Sequence, residues 1–316
     1  MAISHYIKEI GRGKEGARAL TREQSSDLMG QILDGLVSDL ELGAFCMAMR
    51  IKGETPAELL GFLESIQERI NPVTVDPLNL GPLNNKPVIV IPSYNGARRL
   101  PLLTPLLAGL LNQAGFPVLI HGHASEDQRL SCESVIKALG WPMLEATSTS
   151  LAQPVAFIHT RLLCSGLSRL LDVRRQIGLR NSAHSLAKLI NPMAEPHKAI
   201  LLTNFTHPEY EISMTESLQN AKANALLLRG TEGEAVADAR RTPKMVGFVK
   251  GVPHVLHEQS LGSLESVPSF PTTLDAASTA HYIQEVLAGN ISCPEPIARQ
   301  VQAVQRLSTL VSSGAL

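Results

Sequence analysis

The sequence predicts an α/β protein with a small helical N-terminal domain and a larger domain built on a mostly parallel central sheet. Two observations carry this prediction: amphipathic helical spacing fills residues 1–72, and short apolar strands alternate with helices from residue 87 onward. Residues 73–86 concentrate proline, asparagine and glycine, which is the composition of a linker. The chain therefore divides into a helical domain, a linker and an α/β domain of residues 87–316.

Four short helices are predicted in the N-terminal domain. The second begins at Thr21 and repeats apolar residues at helical spacing, and Thr55 followed by Pro56 is a cap with proline in the first turn. A further run of helix formers at residues 161–190 interrupts the α/β pattern. This run could return to the helical domain and complete it.

Five apolar segments predict the strands of the α/β domain: PVIVIP, FPVLIHG, PVAFIH, KAILLT and NALLLRG. Helices are predicted at residues 102–114 and in the segment SCESVIKALG, between the first three strands. Short apolar strands that alternate with helices form a largely parallel sheet with both faces covered. We expect such a sheet here.

Composition describes an ordinary globular protein. Its 316 residues are 44% hydrophobic and 18% charged, and the formal net charge of -1 gives no global attraction to polyanions. The four cysteines are scattered without metal-ligand spacing, and no signal peptide or membrane-spanning run is recognised. We expect a cytoplasmic protein that has no metal or cofactor and does not associate with membranes.

The basic residues are unevenly distributed, and this favours a local binding surface. Residues 151–194 contain six arginine and lysine side chains against one acid, Asp172. Guanidinium groups without acidic neighbours attract phosphate through charge and bidentate hydrogen bonds, although a single surface cation is more often simply solvated. The residues predicted to bind nucleic acid are Arg12, Lys14, Arg98, Arg99, Arg174, Arg175, Arg180 and Lys188.

Several motifs resemble known families. The domain layout and the segment RNSAHSLAKLINP, residues 180–192, resemble anthranilate phosphoribosyltransferase and the class II nucleoside phosphorylases. In the transferase, the arginine of this segment contacts the aromatic acid substrate. The motifs IKEIGRGK, RIKGE, IPSYNGAR, RNSAH, HPEY and GTEGE resemble the YbiB-type proteins, a branch of the same fold. That resemblance implies a homodimer formed through the helical domain, and binding of DNA (especially single-stranded) and RNA with low sequence specificity.

The chain departs from the transferase motifs at the positions that hold phosphate. A glycine-rich loop ending in aspartate closes its backbone N–H groups on pyrophosphate in the transferases. The corresponding residues here are Ser93, Tyr94, Asn95, Gly96 and Ala97. A second motif has lost its lysine and reads Ile120, His121, Gly122, His123. Tyr94 could stack on a base or pack as a hinge residue, and the sequence leaves both open.

The metal-binding motif also departs from the transferase pattern. The transferases hold magnesium with adjacent acids, whereas this chain keeps only Glu232 and Glu234, separated by Gly233. Together with the altered loop, this argues against binding of phosphoribosyl pyrophosphate.

Three functions follow from these residues. The first is non-catalytic nucleic-acid binding, which the loss of acids and the gain of Arg98 and Arg99 favour. The second is a phosphoribosyltransferase with an altered donor or acceptor, which is favoured by the retained Arg180, Asn191 and Pro192. The third is a scaffold whose basic regions bind an acidic protein. His207 could lie near the cleft, but the sequence gives it no role.

Overall fold

The computed structural model describes residues 3–124, 126–145, 150–262 and 269–313. The helices are α1 (Ser4–Ile10), α2 (Gly13–Gly16), α3 (Arg22–Leu33), α4 (Asp39–Lys52), α5 (Pro56–Gln67), α6 (Pro77–Leu80), α7 (Thr104–Gln113), α8 (Cys132–Leu139), α9 (Thr160–Leu163), α10 (Ser165–Ile177), α11 (Ala183–Leu186), α12 (Glu209–Asn220), α13 (Ala276–Leu287) and α14 (Glu295–Ser313). The strands are β1 (Thr74–Val75), β2 (Val88–Ser93), β3 (Val118–Gly122), β4 (Met143–Leu144), β5 (Ser150–Leu151), β6 (Val155–His159), β7 (Ala199–Phe205), β8 (Ala225–Arg229), β9 (Met245–Val249) and β10 (Val252–His257).

An eight-stranded sheet forms the centre of the α/β domain, in the order β10-β9-β8-β7-β2-β3-β6-β4. The pairs from β8 to β4 are parallel, whereas the two pairs at the other edge, β8–β9 and β9–β10, are antiparallel. Ile89 and Ile91 of β2 belong to the core on one face, whereas Val88 and Val90 belong to the core on the other. Because successive residues of a strand point to opposite faces, a strand covered on both sides is apolar throughout.

The helical domain draws on two parts of the chain. Its core joins residues of α1, α3, α4 and α5 to Leu167, Leu170 and Leu171 of α10 and to Leu186 of α11. Capping boxes begin three of its helices: the Thr21, Ser38 and Thr55 side chains each accept a hydrogen bond from the backbone N–H three residues later. The predicted fold class, a helical domain plus a larger α/β domain, is confirmed.

The structure adds elements that the sequence pattern does not reveal. The N-terminal segment contains five helices rather than four, because α2 is a separate single turn. The hairpin β9–β10 and the short strands β1, β4 and β5 are absent from the sequence prediction. Residues 73–86, expected to be a linker, contain β1, α6 and a 3-10 turn. Within the described residues, no helix is both long and apolar enough to cross a membrane.

Candidate functional site

The carboxyl ends of β2, β3, β7 and β8 lie at one edge of the sheet, next to the helical domain. Open α/β sheets bind ligands at this edge, in the crevice where the strand order reverses. Two features occupy it. The first loop, residues 93–100, follows β2, and the acidic turn, residues 231–234, follows β8. The two are brought together although more than a hundred residues separate them.

The acidic turn has an unusual backbone. Glu232 and Gly233 both have positive φ, 51° and 92°, and the Glu234 N–H donates to the Thr231 carbonyl at 2.9 Å. A side chain on residue 233 would collide with Asn95, because a Cβ there would lie 1.5 Å from its Nδ2. Glycine is therefore required between the two glutamates. For Glu232 the left-handed conformation costs about 1–2 kcal/mol, which the surrounding contacts must offset.

Glu234 is buried and its carboxylate faces the first loop. It accepts hydrogen bonds from the backbone N–H groups of Asn95 at 2.9 Å and Gly96 at 2.8 Å. The hydroxyls of Ser93 and Thr104 donate to the same carboxylate. Four donors converging on a carboxylate are the arrangement expected of an anion-binding site, and here the anion is a side chain of the protein.

Glu232 also accepts backbone hydrogen bonds from the first loop, from residues that follow those bound by Glu234. Its carboxylate accepts from the backbone N–H groups of Arg98 at 2.9 Å, Arg99 at 3.1 Å and Leu100 at 3.3 Å. The two glutamates together occupy five backbone donors of the first loop. The carboxylates that the sequence suggests as remnants of a metal motif therefore serve as internal ligands.

The space beside the first loop is small. The cavity lined by Ser93, Asn95 and Gly96 has a volume of about 10 Å³, which is room for roughly one water molecule. A diphosphate does not fit there. Magnesium does not fit the residues either, since both carboxylates are committed to N–H and O–H donors. Among the described residues, no group of three histidine, cysteine, aspartate or glutamate side chains is arranged to hold a metal ion.

Tyr94 is a packed core residue. Its side chain is 3% exposed and belongs to the core of the helical domain, so it is not available to stack on a base. Its hydroxyl lies 2.7 Å from His121 Nδ1, and His121 Nε2 lies 3.2 Å from the Ile190 carbonyl. Because a carbonyl only accepts, Nε2 carries the proton and Nδ1 accepts from the tyrosine. Burial lowers the pKa of His121 to about 4, so the imidazole is neutral at pH 7. Gly122 completes this cluster with its carbonyl, which accepts from the Thr160 hydroxyl.

A second cavity, of about 330 Å³, lies between the two domains. We call it the interdomain cavity. It is lined by the α4–α5 junction, by residues 180–188 and by the end of β7 with the start of α12. Three of its buried polar groups have no hydrogen-bond partner among the described residues: the Asn204 amide, the Ser182 hydroxyl and His184 Nε2. Such groups are normally satisfied, so this cavity has the character of a ligand site.

Cations concentrate at the interdomain cavity. Arg50, Arg180 and Lys188 line it, and none forms an ion pair with a carboxylate of the described residues. Burial, together with Arg174, Arg129 and Arg50 nearby, lowers the pKa of Arg180 to about 10. Burial also lowers the pKa of Lys188 to about 8, while Glu234 opposes this effect. Burial is the main cause of both lowered pKa values and neighbouring cations add to it, while the cavity lining also includes one acid, Glu54.

The other predicted basic residues fall into different environments. Arg174 pairs with Glu126, and Arg175 pairs with Asp127 at 3.1 Å and Asp172 at 3.5 Å. Both arginines are therefore paired with carboxylates, although their own segment, residues 151–194, contains only one acid. Glu126 and Asp127 lie some fifty residues earlier in the chain, where local sequence gives no sign of the pairing.

On the helical domain, Arg12 pairs with Glu9 at 3.0 Å, and Lys14 is exposed. Arg98 and Arg99 are exposed on the first loop without an ion pair to any described residue. The structure thus brings Arg174, Arg180 and Lys188 to one region, carries Arg98 and Arg99 on the neighbouring loop, and leaves Arg12 and Lys14 on α1–α2. Sequence reasoning does not single out Arg50, Arg129 or Asn204. Arg50 stands in the quoted motif RIKGE, which is the available signal.

Comparison with known proteins identifies relatives of this arrangement. A family model described as the glycosyl transferase family, helical bundle domain, matches residues 4–70. The uncharacterized protein YbiB of Escherichia coli (strain K12) is 39% identical over 321 residues, covering 99% of this chain and 95% of its own length. The anthranilate phosphoribosyltransferase of Symbiobacterium thermophilum is 26% identical over 243 residues, covering 72% of this chain and 64% of that protein.

Solved structures agree on the fold. Anthranilate phosphoribosyltransferase from Thermus thermophilus matches with a TM-score of 0.69 at 18% identity, covering 97% of both chains. The enzyme from Saccharomyces cerevisiae in complex with PRPP and Mg matches with a TM-score of 0.67 at 14% identity, covering 98% of both. At these identities the likeness is one of fold alone. Since YbiB matches almost from end to end at 39% identity, this chain belongs to the YbiB family, on the fold of the anthranilate phosphoribosyltransferases.

Proposed function

We propose that this protein binds single-stranded nucleic acid with low sequence specificity and does not transfer phosphoribosyl groups. One observation carries the proposal. At a single edge of the sheet, the backbone donors of the first loop are saturated by Glu232 and Glu234, while Arg50, Arg180 and Lys188 have no carboxylate partner among the described residues. The edge therefore rejects a small diphosphate at the loop and attracts phosphate at the cavity.

A polymer suits this distribution of charge better than a small anion does. Arg98 and Arg99 extend the positive charge along the first loop, and both are exposed. Separate cations that each meet one phosphate of a strand release counterions and give an affinity that falls steeply with salt. Contacts of this kind do not depend on base identity, which accounts for low sequence specificity.

A phosphoribosyltransferase with an altered donor is the second candidate function. The unsatisfied polar groups of the interdomain cavity and its size favour a small organic ligand. The obstacle is the donor, because the first loop offers no free N–H groups for its diphosphate.

One titration distinguishes these functions. A fluorescently labelled single strand is titrated at two salt concentrations, and formation of phosphoribosyl anthranilate with magnesium is assayed beside it. We expect salt-dependent binding and no product. We also expect Arg98→Glu/Arg99→Glu to weaken binding and to reduce the salt dependence. Product formation at a rate typical of an enzyme, without strand binding, would establish the second function instead.

We further infer a homodimer formed through α4. Leu40, Met47 and Ile51 are 84%, 40% and 54% exposed and lie along one side of this helix, at spacings of seven and four residues. An apolar stripe of this kind is typical of a helix that packs against a partner. Leu40→Glu/Met47→Glu is expected to halve the mass measured by light scattering. An unchanged mass would refute this interface.

A further inference from the structure

The motif HPEY, residues 207–210, is not used by the function proposed above. His207 and Tyr210 flank the start of α12, where their ring centroids lie 6.4 Å apart at an interplanar angle of 49°. Both side chains line the interdomain cavity, and Tyr210 is 44% exposed. Both residues are exposed, so burial in a core does not account for the placement of their rings beside this cavity. Aromatic rings in this position are the usual platforms for unpaired bases.

The interior of the cavity offers hydrogen bonds that suit the edge of a base. The Asn204 side chain is 1% exposed, and neither its oxygen nor its nitrogen has a partner among the described residues. A carboxamide presents a donor and an acceptor side by side, which is the pattern that asparagine uses to bind base edges. The Ser182 hydroxyl, 2% exposed, and His184 Nε2 are also unsatisfied and line the same cavity. Groups left unpaired in this way favour a ligand that pairs them.

Cations complete the set of contacts. Arg50 donates to the Arg180 carbonyl at 3.2 Å, so the two arginines lie next to each other on the helical-domain side of the cavity. Both line the cavity together with Lys188. A ring platform, a base-edge reader and a phosphate-binding cluster therefore surround one space of about 330 Å³.

We propose that the interdomain cavity receives one unpaired base of the bound strand, stacked on Tyr210, hydrogen-bonded to Asn204 and with its phosphate held by Arg50 and Arg180. This inference rests on the proposed nucleic-acid binding and adds one contact to a base, of any identity, to the contacts with phosphate. A base inside a duplex cannot enter the cavity without leaving its stack, so the cavity would select single strands over duplexes.

The test compares two labelled strands of equal length, one normal and one in which every base is replaced by an abasic site. Wild-type protein is expected to bind the normal strand more tightly, by about 5- to 100-fold, which is the range for one stacked base. Tyr210→Ala is expected to remove this preference and leave binding of the abasic strand unchanged. Asn204→Ala is expected to reduce the preference in part.

Two controls keep the result interpretable. Tyr210→Phe retains the ring and should bind as the wild type does. Ile212→Ala changes an exposed apolar residue of the same helix that does not line the cavity, and it should have no effect. Thermal melting establishes that each variant is folded.

The outcomes separate the two proposals. If the wild type binds both strands equally, or if Tyr210→Ala keeps the full preference, the base contact is wrong while nucleic-acid binding stands. If the wild type binds neither strand at low salt, both are wrong.

Discussion

The first loop and the interdomain cavity lie at the same edge of one sheet, but they differ in their carboxylate partners. In the loop, five backbone N–H groups converge on carboxylates that the chain supplies itself. In the cavity, arginine and lysine side chains lack such carboxylates, and several buried polar groups have no partner among the described residues. The chain itself supplies the acceptors for the backbone of the loop, although the buried Asn95 amide there is also without a partner among the described residues, whereas the cations of the cavity have no carboxylate partner.

This contrast shows how buried backbone donors can be satisfied by side chains of the same protein. The backbone donors of a phosphate loop do not disappear when glycines are replaced, because each buried N–H must still find an acceptor. Two glutamates on a tight turn satisfy them from within. These hydrogen bonds therefore stabilise the folded loop.

The largest expected effect comes from removing the internal ligand. Glu234→Ala leaves the N–H groups of Asn95 and Gly96 and two hydroxyls without their acceptor, so we expect a loss of about 2–4 kcal/mol in the free energy of unfolding. Chemical denaturation measures this loss. Glu195→Ala, which removes an exposed carboxylate paired with Lys198, is the control and should change stability by less than about 0.5 kcal/mol. Equal effects of the two substitutions would contradict the role of Glu234.

An effect of intermediate size is expected on the affinity for a single strand, where removal of Arg180, which has no ion pair to a described carboxylate, should matter more than removal of the paired Arg174. Arg180→Ala removes a cation that has no ion pair to a described carboxylate, and we expect about a tenfold loss of affinity for a single strand. Arg174→Ala is the matched control, because the charge of Arg174 is already neutralised by Glu126. When Arg174 is removed, Glu126 remains paired with Arg129. We expect less than about a threefold loss there. Fluorescence anisotropy at two salt concentrations measures both, and a larger loss for Arg174→Ala would reverse the assignment.

The smallest effect concerns pH. The pKa of Lys188 is about 8 in the folded protein against an ordinary 10.5, so the unfolded chain binds more protons between these values. The buried positive charge of Lys188 lowers the free energy of unfolding by its full amount below pH 8. This loss of stability becomes smaller as the pH rises from about 8 towards 10.5, because the folded protein releases the proton first. Lys188→Met should therefore melt higher than the wild type at about pH 7.5, on the order of 2 °C, with a smaller difference at about pH 9.5.

The difference between variant and wild type is the quantity to compare, since buried thiols such as Cys46, whose pKa is raised to about 11, titrate in the same region. Lys14→Met at an exposed position should show no such change with pH. A difference that stays constant across this pH range would show that Lys188 is not desolvated.

Most of the fold follows from local sequence. The strands around Val90, Ile120 and Leu201 are predictable because an apolar run buried on both faces is unambiguous when helices flank it. The hairpin β9–β10 escapes prediction although Lys250 and Gly251 between its strands have positive φ, 48° and 83°, which is the backbone of a tight hairpin turn. Lysine is uncommon at a turn position with positive φ, so the residue types do not predict this turn.

The site is harder to predict from the sequence than the fold is, because its interactions join distant parts of the chain. Glu232 and Glu234 are recognisable as acids, but their partners lie at least 130 residues away. Arg174 looks unpaired in the sequence for the same reason, since Glu126 is 48 residues earlier. Residue types indicate which chemistry is available, whereas the pairing of charges depends on the folded arrangement.

The buried position of Tyr94 has a mechanical consequence. Its ring is buried in the core of the helical domain, while the loop that carries it is held by Glu232 and Glu234 of the α/β domain, so the first loop is tied to both domains at once. Under the proposed function, a flexible single strand would follow the edge between the domains more easily than a duplex, which stays nearly straight over about 50 nm.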